Sequence, residues 1–369
     1  MTPLWILETY PPDSGGLALA GERISRGLQE HFEDLQRLIL DKNLAPGVAA
    51  WDDVRQLVRL GPFPEEDETL QFVEQYIVHN RSVSLVHAFA GGTLAAAAVA
   101  AALRKGVPSV VSLRGNDLDR GLYRGKTSAL LRWTLEKASR IVCLSREQQA
   151  KLASWFGLRD TVYIPNAVDS DQFFPEPAAD LWPDKKVVLV CAEMRWKKGL
   201  QLVLEVAQQA QGRFLVVLAG GIRKAEKAAL RQWRLQFPSA SGDLLELPWE
   251  AGRSRMRQLY ARADLVWLPS LWEGMPNVVL EAMACGRPVL AHAVGGVPDL
   301  LLPGLGWALP LDQIGETVPM ILQILQDPSA GEVGDKARQH VLVEHSLERE
   351  RSAYRELYSD CQSLETGQL

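Results

Sequence analysis

The stretch that decides the fold is PSLWEGMPNVVLEAMACGRPVLA, residues 269–291. It follows the apolar run ADLVWL and ends in the run PVLAHAV, so the pattern predicts a strand, a turn, a helix and a second strand. Gly274 allows a tight turn, and Pro276 suits the first helical turn because its missing amide is not needed there. We expect a helix over 277–286 whose amino-terminal amides can hold an anion.

Two carboxylates flank this turn. Glu273 lies just before the predicted helix and Glu281 lies more than one turn inside it, so they would reach different parts of one ligand. The separation alone carries little information, because Glu22 and Glu30 share it. The surrounding strand, glycine turn and helix make the pair at 273 and 281 a candidate ligand site.

The same alternation of short apolar runs and longer helical patterns extends along most of the chain. It predicts an α/β fold with parallel sheets that helices cover on both faces. The predicted strands are residues 4–7, 85–88, 109–113, 141–144, 187–191, 214–219, 265–268 and 288–292.

A break in this pattern divides the chain. The segment PNAVDSDQFFPEPAADLWPDKK is rich in proline and has no helical period, which predicts an interdomain linker. We therefore expect a Rossmann-like domain over 1–167, a linker over 168–185 and a second Rossmann-like domain over 186–345. Residues 346–369 contain a helix pattern with no strand after it, so this helix must dock on existing surface.

The composition excludes several classes of protein. The 369 residues include 40 basic and 45 acidic side chains, which gives a net charge of −5, and 47% are apolar. Such a chain has room for two sizeable cores, is not disordered and has no general attraction to nucleic acid. The four cysteines lie far apart without the spacing of a zinc ribbon, which fits a reducing compartment.

The amino terminus lacks the basic start and long apolar run of a signal peptide, which disfavours export. Residues 82–103 carry no Asp, Glu, Lys or Arg, but Gly91 and Gly92 split them into a strand and an alanine-rich helix that ends at Gly106. Neither piece has the length of a membrane-spanning helix. We therefore expect a cytoplasmic protein.

These motifs resemble those of the retaining glycosyltransferases of family 4, which have the GT-B fold of two facing Rossmann-like domains. The resemblance runs almost end to end, and Glu273 and Glu281 match the family pattern of two glutamates with seven residues between them. It implies that Glu281 holds the ribose hydroxyls of a sugar nucleotide and that Glu273 faces the transferred sugar. The implied binding site for the distal phosphate and sugar is the backbone of Gly274, Met275, Pro276, Asn277 and Val278.

A second match is CAEMRWKKGL, residues 191–200. The family shows a Lys before a Gly here, which Lys198 meets, and an Arg five residues earlier, where this chain has Glu193. Because departure of a pyrophosphate needs positive charge, which an acidic side chain cannot supply, we expect Arg195 to take over that role. The alternative interpretation of this run is a solvated basic turn.

Two glycine pairs resemble the family's donor-side loops. Gly15 and Gly16 follow the first predicted strand, and their lack of a Cβ lets the backbone approach a phosphate or sugar closely. An ordinary turn is the alternative at this position. Gly295 and Gly296 follow the strand after the predicted helix, and the resemblance places them near the donor.

The segments VHAFAGG and SLRGNDL resemble acceptor-side loops and contribute His87, Arg114 and Asp117, with His87 as a candidate catalytic residue. The alternative for His87 is a hydrogen-bonded histidine of the core. Many relatives carry His at the position of Arg114, which can bind anions but cannot act as a base because guanidinium does not deprotonate in proteins. Asn166, at the start of the break between domains, would shape the hinge.

Residues 104–140 carry nine basic and three acidic side chains, interspersed with Leu, Trp and Tyr. This mixture is typical of a helix lying on an anionic membrane, which would favour a lipid phosphate or lipid-linked sugar as acceptor. A solvated helix packed by its apolar face is the alternative. Residues 117–119 and 169–171 spell DxD, a metal-binding motif of other glycosyltransferases, but turn capping explains both, so we expect no metal or cofactor.

The resemblance implies transfer of a hexose from a nucleoside diphosphate sugar to a glycan, lipid-linked or small-molecule acceptor, with retention of configuration. Two alternatives remain open. A sugar-nucleotide epimerase of the same fold would need no acceptor, and a non-catalytic sugar-nucleotide-binding scaffold would be compatible with the departures at Glu193 and Arg114. No nucleic-acid partner is expected.

Overall fold

The chain forms two compact units. One comprises Met1–Asn166 together with Glu350–Leu369, and the other is Ala167–Arg349. The structure, a computed structural model, describes residues 1–11, 15–52, 56–115, 117–122, 125–178, 180–248 and 252–366.

The first unit is built on an eight-stranded sheet in the order β3-β4-β2-β1-β5-β6-β7-β8. Neighbouring strands are parallel except at the edge, where β3 and β4 are antiparallel. Its strands are β1 (Pro3–Leu7), β2 (Gln36–Leu40), β3 (Ala49–Asp52), β4 (Leu57–Leu60), β5 (Leu85–Ala88), β6 (Ser109–Leu113), β7 (Arg140–Cys143) and β8 (Val162–Tyr163). Before the chain enters the second unit at Ala167, the helices of this unit are α1 (Gly16–Gln29), α2 (Glu66–His79), α3 (Thr93–Lys105), α4 (Asp117–Leu122), α5 (Gly125–Lys137) and α6 (Arg146–Phe156).

The second unit is built on a six-stranded sheet in the order β11-β10-β9-β12-β13-β14, parallel throughout. Its strands are β9 (Val187–Cys191), β10 (Leu215–Ala219), β11 (Leu244–Leu247), β12 (Leu265–Leu268), β13 (Val289–His292) and β14 (Trp307–Leu309). Its helices are α7 (Leu200–Ala210), α8 (Lys227–Gln236), α9 (Arg253–Arg262), α10 (Asn277–Ala284), α11 (Val297–Leu300), α12 (Thr317–Gln326) and α13 (Ala330–Glu344). The last helix is α14 (Leu347–Thr366), which belongs to the first unit from Glu350 onwards. Short 3-10 turns occupy Trp196–Lys198, Ala240–Asp243 and Leu311–Glu316.

The α/β prediction is confirmed, and all eight predicted strands form within one residue of their expected ends. Strands β1, β5, β6, β9, β10, β12 and β13 are buried at every position, as expected for parallel strands covered on both faces. The uncharged segment 82–103 forms β5 and most of α3, which ends at Gly106 in the left-handed conformation with φ 74°. Within the described ranges, no helix combines the length and apolar character needed to span a bilayer.

Two features differ from the sequence-based expectation. The antiparallel edge pair of β3 and β4 interrupts an otherwise parallel sheet. The segment 168–185, expected to be a linker, packs on α9 of the second unit: Arg257 donates to Glu176 at 2.7 Å and lies 4.4 Å from the ring centre of Phe174, while Phe173 is buried against Tyr260. The aromatic residues of this segment therefore pack it against the second unit. The prolines, on which the linker prediction was based, do not indicate this packing.

The last helix packs into the core of the first unit. Tyr354, Leu357, Tyr358 and Cys361 are at most 2% exposed and share one apolar cluster with residues of β1 and α1. An ion pair of 2.7 Å between Arg23 of α1 and Glu350 adds a polar contact at the start of this helical stretch. The expected docking of this helix is thus achieved by four buried side chains.

Candidate functional site

The helix predicted from the deciding stretch is α10, which begins at the expected residue, Asn277, and ends two residues before the expected end at Gly286. Pro276 is the residue before the helix, with φ −78° and ψ 115°, and its own side chain has no polar atom to cap this end. The prediction that Pro276 lies in the first turn is therefore wrong, because its ψ value is that of extended backbone. Gly286 follows the helix with φ 69°. Pro276 thus has no side-chain acceptor to offer the first amides of α10, and the amino terminus of a helix favours a bound anion.

Lys198 and Glu273 form an ion pair beside the loop that leads into α10. Lys198 Nζ lies 2.5 Å from Glu273 Oε1, and the two side chains are 21% and 10% exposed. The sequence predicted both residues as site members, and the structure brings them together from loops that are 75 positions apart. Partial burial strengthens their mutual attraction and also the field that a bound anion would experience.

Backbone contacts hold these two loops together. Leu271 donates its amide to the Lys197 carbonyl at 2.9 Å. Gly199 has φ 77°, and a Cβ at this position would lie only 2.1 Å from the Pro269 carbonyl oxygen. Glycine is therefore required after Lys198 for both conformational and steric reasons.

The loop after β13 joins the same edge of the sheet. Gly296 donates its amide to the Gly274 carbonyl at 2.6 Å, and a Cβ on Gly295 would lie 2.1 Å from the Glu273 carbonyl oxygen. Met275 is buried and contacts the position where a Cβ of Gly296 would stand. Three predicted glycines thus bring the loops after β12 and β13 into direct backbone contact.

Glu281 is half-buried on α10, one turn beyond the predicted phosphate-binding amides at Asn277 and Val278. Its Oε2 accepts a hydrogen bond of 2.8 Å from the hydroxyl of Tyr260. Burial, reinforced by the negative charge expected on Glu281, raises the pKa of Tyr260 well above its ordinary value, so this hydroxyl stays a donor. The carboxylate is therefore held in a fixed orientation, as recognition of sugar hydroxyls demands.

The acidic residue at position 193 has a partner that the sequence analysis missed. Glu193 Oε2 lies 2.9 Å from Nε of Arg223, and both side chains are about half exposed, at 53% and 48%. Arg223 stands on the loop after β10, the strand that pairs directly with β9. Because neighbouring parallel strands place their following loops side by side, an Arg shortly after β10 was the sequence feature that could have predicted a partner for Glu193.

The charges at this edge leave one arginine uncompensated. Lys198 pairs with Glu273 and Arg223 pairs with Glu193, so each pair is close to neutral. Arg195 takes part in no ion pair within the part of the chain that the structure describes, and its Nε is buried without a hydrogen-bond partner. A buried donor without an acceptor is costly, which favours an anionic ligand at this place.

The structure contradicts the catalytic role predicted for His87. The side chain is 0% exposed, and its Nδ1 and Nε2 lie 2.6 Å from the Tyr358 hydroxyl and 2.7 Å from the Ser112 hydroxyl. Burial, assisted by the positive charge of Arg114, lowers the pKa of His87 to about 3. His87 is therefore a neutral core histidine that links β5 and β6 to α14, and it has no ring nitrogen available for a substrate.

The other predicted residues of the first unit are also engaged in structure. Arg114 donates to Asn166 Oδ1 at 2.5 Å and lies 4.5 Å from the ring centre of Phe89, although one of its terminal nitrogens is buried without a partner. Asp117 begins α4 and accepts the Arg114 amide at 2.7 Å, and burial raises the pKa of this carboxyl. The intervening residue 116 lies outside the described residues. Acceptor binding by Arg114 and Asp117 stays a prediction.

The first glycine pair stands at a helix start. Gly15 precedes α1 with φ 121° and has no side chain with which to cap it, and Gly16 is the first residue of that helix. A Cβ on Gly15 would meet nothing within 4 Å, so glycine is needed here for its backbone conformation and not for space. Residues 12–14 of this loop lie outside the described residues.

The two DxD segments have structural partners. Asp119 pairs with Lys151 at 3.0 Å, and Asp169 accepts the Asp171 amide at 3.1 Å within a turn. Among the described residues, no three His, Cys, Asp or Glu side chains are grouped as metal ligands would be. Independence from metal stays a prediction.

The two α/β units, each built on a largely parallel sheet, have the GT-B fold. HepE from Anabaena, solved in complex with UDP, has this fold: it matches 98% of this chain and 100% of its own with a TM-score of 0.81 and 18% sequence identity.

Sequence families place the chain more narrowly. Residues 175–340 match the family described as Glycosyl transferases group 1, and residues 43–172 match the family described as Glycosyltransferase Family 4. The chain belongs to the family 4 type of GT-B glycosyltransferases.

Two curated relatives share part of the sequence. The phosphatidylinositol N-acetylglucosaminyltransferase gpi3 subunit of Schizosaccharomyces pombe is 27% identical over 47% of this chain and 38% of its own length. The D-inositol 3-phosphate glycosyltransferase of Mycobacteroides abscessus is 30% identical over 44% of this chain and 39% of its own. The matched region therefore spans less than half the length of these relatives.

Proposed function

We propose that this protein is a retaining hexosyltransferase that takes a hexose from a nucleoside diphosphate sugar bound to its second unit. The observation that best supports this proposal is the Lys198–Glu273 ion pair, which backbone contacts hold beside the amino terminus of α10. Membership of the glycosyltransferase family supports the reaction class, and the UDP complex of HepE supports a uridine nucleotide donor. The two relatives, named for phosphatidylinositol and inositol 3-phosphate, support an acceptor of the lipid-linked or small-molecule class, with a glycan acceptor as a further option.

The proposed reaction balances without a protein base. The bond between C1 of the hexose and the phosphate oxygen breaks, and a bond from C1 to the acceptor oxygen forms on the same face. The acceptor proton passes to the departing phosphate oxygen. A neutral, fully buried His87 is compatible with this route because no side chain has to take the proton.

Each of the site residues in the second unit has a proposed role in the reaction. Lys198, Arg195 and the amides at the start of α10 stabilise the negative charge that develops on the diphosphate, so no metal ion is required. Glu273 faces the hexose and keeps Lys198 oriented before the donor binds. Glu281, fixed by Tyr260, accepts hydrogen bonds from the ribose hydroxyls.

Binding of the donor can be tested by thermal shift with UDP, GDP and ADP sugars, because a ligand that binds only the folded state raises its melting temperature. We expect one nucleotide class to stabilise the protein and Glu281→Ala to weaken its affinity by about tenfold or more, as for loss of a charged hydrogen-bonding group. Glu332→Ala, at an exposed position of α13, is the matched control. Unchanged nucleotide affinity in Glu281→Ala would contradict the assignment.

Product analysis separates the chemical alternatives. A transferase consumes the donor productively only with an acceptor and retains the anomeric configuration of the hexose. Conversion of the sugar nucleotide to an isomer without acceptor would instead identify an epimerase. Binding without turnover across a broad acceptor panel would identify a scaffold.

A further inference from the structure

The helix α8 concentrates positive charge on one exposed face of a chain whose net charge is −5. Residues 223–236 contain five basic side chains and one acidic side chain. All five cations are exposed, and one of them, Arg223, pairs with Glu193. We call the other four, of which Lys224 lies just before the helix, together with one exposed leucine the α8 patch: Lys224, Lys227, Arg231, Arg234 and Leu235.

Helical spacing places the patch away from the core. Leu230 and Trp233 are 4% and 7% exposed and form the face that packs on the second unit. Lys227, Arg231 and Arg234 follow one another at intervals of four and three positions, which aligns them in a single stripe. The side chain of Leu235, one turn after Arg231, borders this stripe.

The side chains of the four cations make no ion pair and no hydrogen bond with the described residues. On α9 of the same unit, by contrast, Arg257 pairs with Glu176 and Arg262 pairs with Asp264. The acidic residue of the segment, Glu226, has one carboxylate oxygen buried. Like charges at these helical spacings repel one another, so the stripe weakens α8 and its composition is not explained by helix stability.

The leucine distinguishes between anionic partners. Leu235 is 85% exposed, the highest value among the large apolar side chains of the described residues that lie on the surface. A nucleic acid or an acidic protein surface would use the cations and leave this side chain in water. A bilayer offers both an anionic headgroup layer for the cations and an apolar layer immediately beneath it for the leucine.

We propose that the α8 patch binds the surface of an anionic lipid bilayer, with its cations among the headgroups and Leu235 inserted beneath them. This contact belongs to the second unit and is separate from the membrane contact predicted for residues 104–140, of which residues 116, 123 and 124 lie outside the described residues. It does not depend on the proposed transferase activity. Each basic residue close to such a surface contributes about a fivefold factor in partitioning, so reversal of three charges should cost about a hundredfold or more.

The test measures co-sedimentation of the full chain with vesicles of phosphatidylcholine mixed with phosphatidylglycerol. We expect the wild-type protein to bind these vesicles, to ignore phosphatidylcholine alone and to dissociate as salt is raised. The variant K227E/R231E/R234E should lose about a hundredfold in partitioning, and L235S should lose about threefold to tenfold, the value of one leucine side chain at an interface. The replaced side chains are exposed, so unchanged melting temperatures will verify that the fold is intact.

The control variant K42E/R81E/R159E changes the net charge by the same amount at three separate exposed positions of the first unit. We expect it to bind nearly as the wild type does. Equal losses in the two triple variants, or no vesicle binding by the wild-type chain, would overturn the proposal. Binding of single-stranded RNA that needs the same three cations, together with no effect of L235S on vesicle binding, would assign the patch to a nucleic acid and also overturn it.

Discussion

The loops at the carboxyl edges of the two sheets contain similar polar residues but hold themselves together in different ways. In the second unit, contacts from Gly199 and Gly296 to neighbouring carbonyls fix the loops, and Lys198 and Glu273 stay partly exposed. In the first unit, side chains hold the strands and the loop after β6: His87 of β5 bonds Ser112 of β6 and Tyr358 of α14, and Arg114 donates to Asn166. Where backbone contacts hold the loops together, the charged side chains remain accessible to a ligand. Where side-chain hydrogen bonds hold the structure together, the same side chains are no longer available to bind one.

The largest expected effect is on turnover after loss of the accessible lysine. Lys198→Ala should lower kcat by about 10²–10³-fold, the usual cost of removing one group that stabilises transition-state charge, with a smaller change in donor affinity. Steady-state kinetics and calorimetry with the donor measure the two quantities. Lys336→Ala, an exposed position of α13, is the control. An equal loss in donor affinity and kcat/KM with unchanged kcat would show that Lys198 serves binding alone.

The backbone contact of the second unit can be broken with a single methyl group. Gly199→Ala should cost about 3 kcal/mol or more in the free energy of unfolding, because the new Cβ would lie 2.1 Å from the Pro269 carbonyl oxygen. Gly106→Ala is a close control, since Gly106 has φ 74° against 77° for Gly199 but nothing within 4 Å of its Cβ position. The control should cost only the left-handed strain, about 1–2 kcal/mol. Urea unfolding of both variants gives the difference, and equal costs would show that the contact at Pro269 is not tight.

The side-chain contact of the first unit should make its stability depend on pH. Because the pKa of His87 is about 3 in the folded protein and near 6.5 ordinarily, the unfolded chain binds the proton more tightly. The stabilisation is complete above pH 6.5 and declines as the pH falls towards 3, with about 2 kcal/mol lost by pH 5.

Replacement of this histidine by a residue that does not titrate isolates its contribution. His87→Gln should be less stable than the wild type at pH 7. Between pH 7 and pH 5, however, its free energy of unfolding should fall by about 2 kcal/mol less than that of the wild type. Donor affinity per folded molecule should be unchanged. A variant with the same pH dependence as the wild type would show that folding does not lower the pKa of His87.

The smallest effect concerns the exposed pair of Glu193 and Arg223. Arg223→Ala leaves the charge of Glu193 without compensation near the proposed diphosphate, which should weaken donor affinity by about threefold to fivefold, within the range of exposed ion pairs. Adding Glu193→Gln to this variant should restore the affinity because the repelling charge is gone. If the double variant stays as weak as Arg223→Ala, the arginine contacts the donor directly.

Much of the fold could be predicted because its central strands are continuous apolar runs between helical patterns. Strand β3 could not, since its sequence AAWD is mostly exposed, and β8 and β14 have only two and three residues. The pairing of Lys198 with Glu273 was predictable only as membership of one site, because their contact depends on the adjacency of β9 and β12. The sequence analysis left a core position for His87 open as an alternative and could not choose it, because its hydroxyl partner Tyr358 is 271 positions away.

The order in which residues are synthesised has a consequence for the first unit. Tyr358 and Cys361 complete a cluster that already contains Trp5 and Leu7, yet the whole second unit is translated between them. While the ribosome makes residues 167–349, the early residues of this cluster lack the apolar cover of α14, and Arg23 and His87 lack their late partners. These uncovered apolar side chains are the part of the nascent chain that a chaperone would be expected to cover.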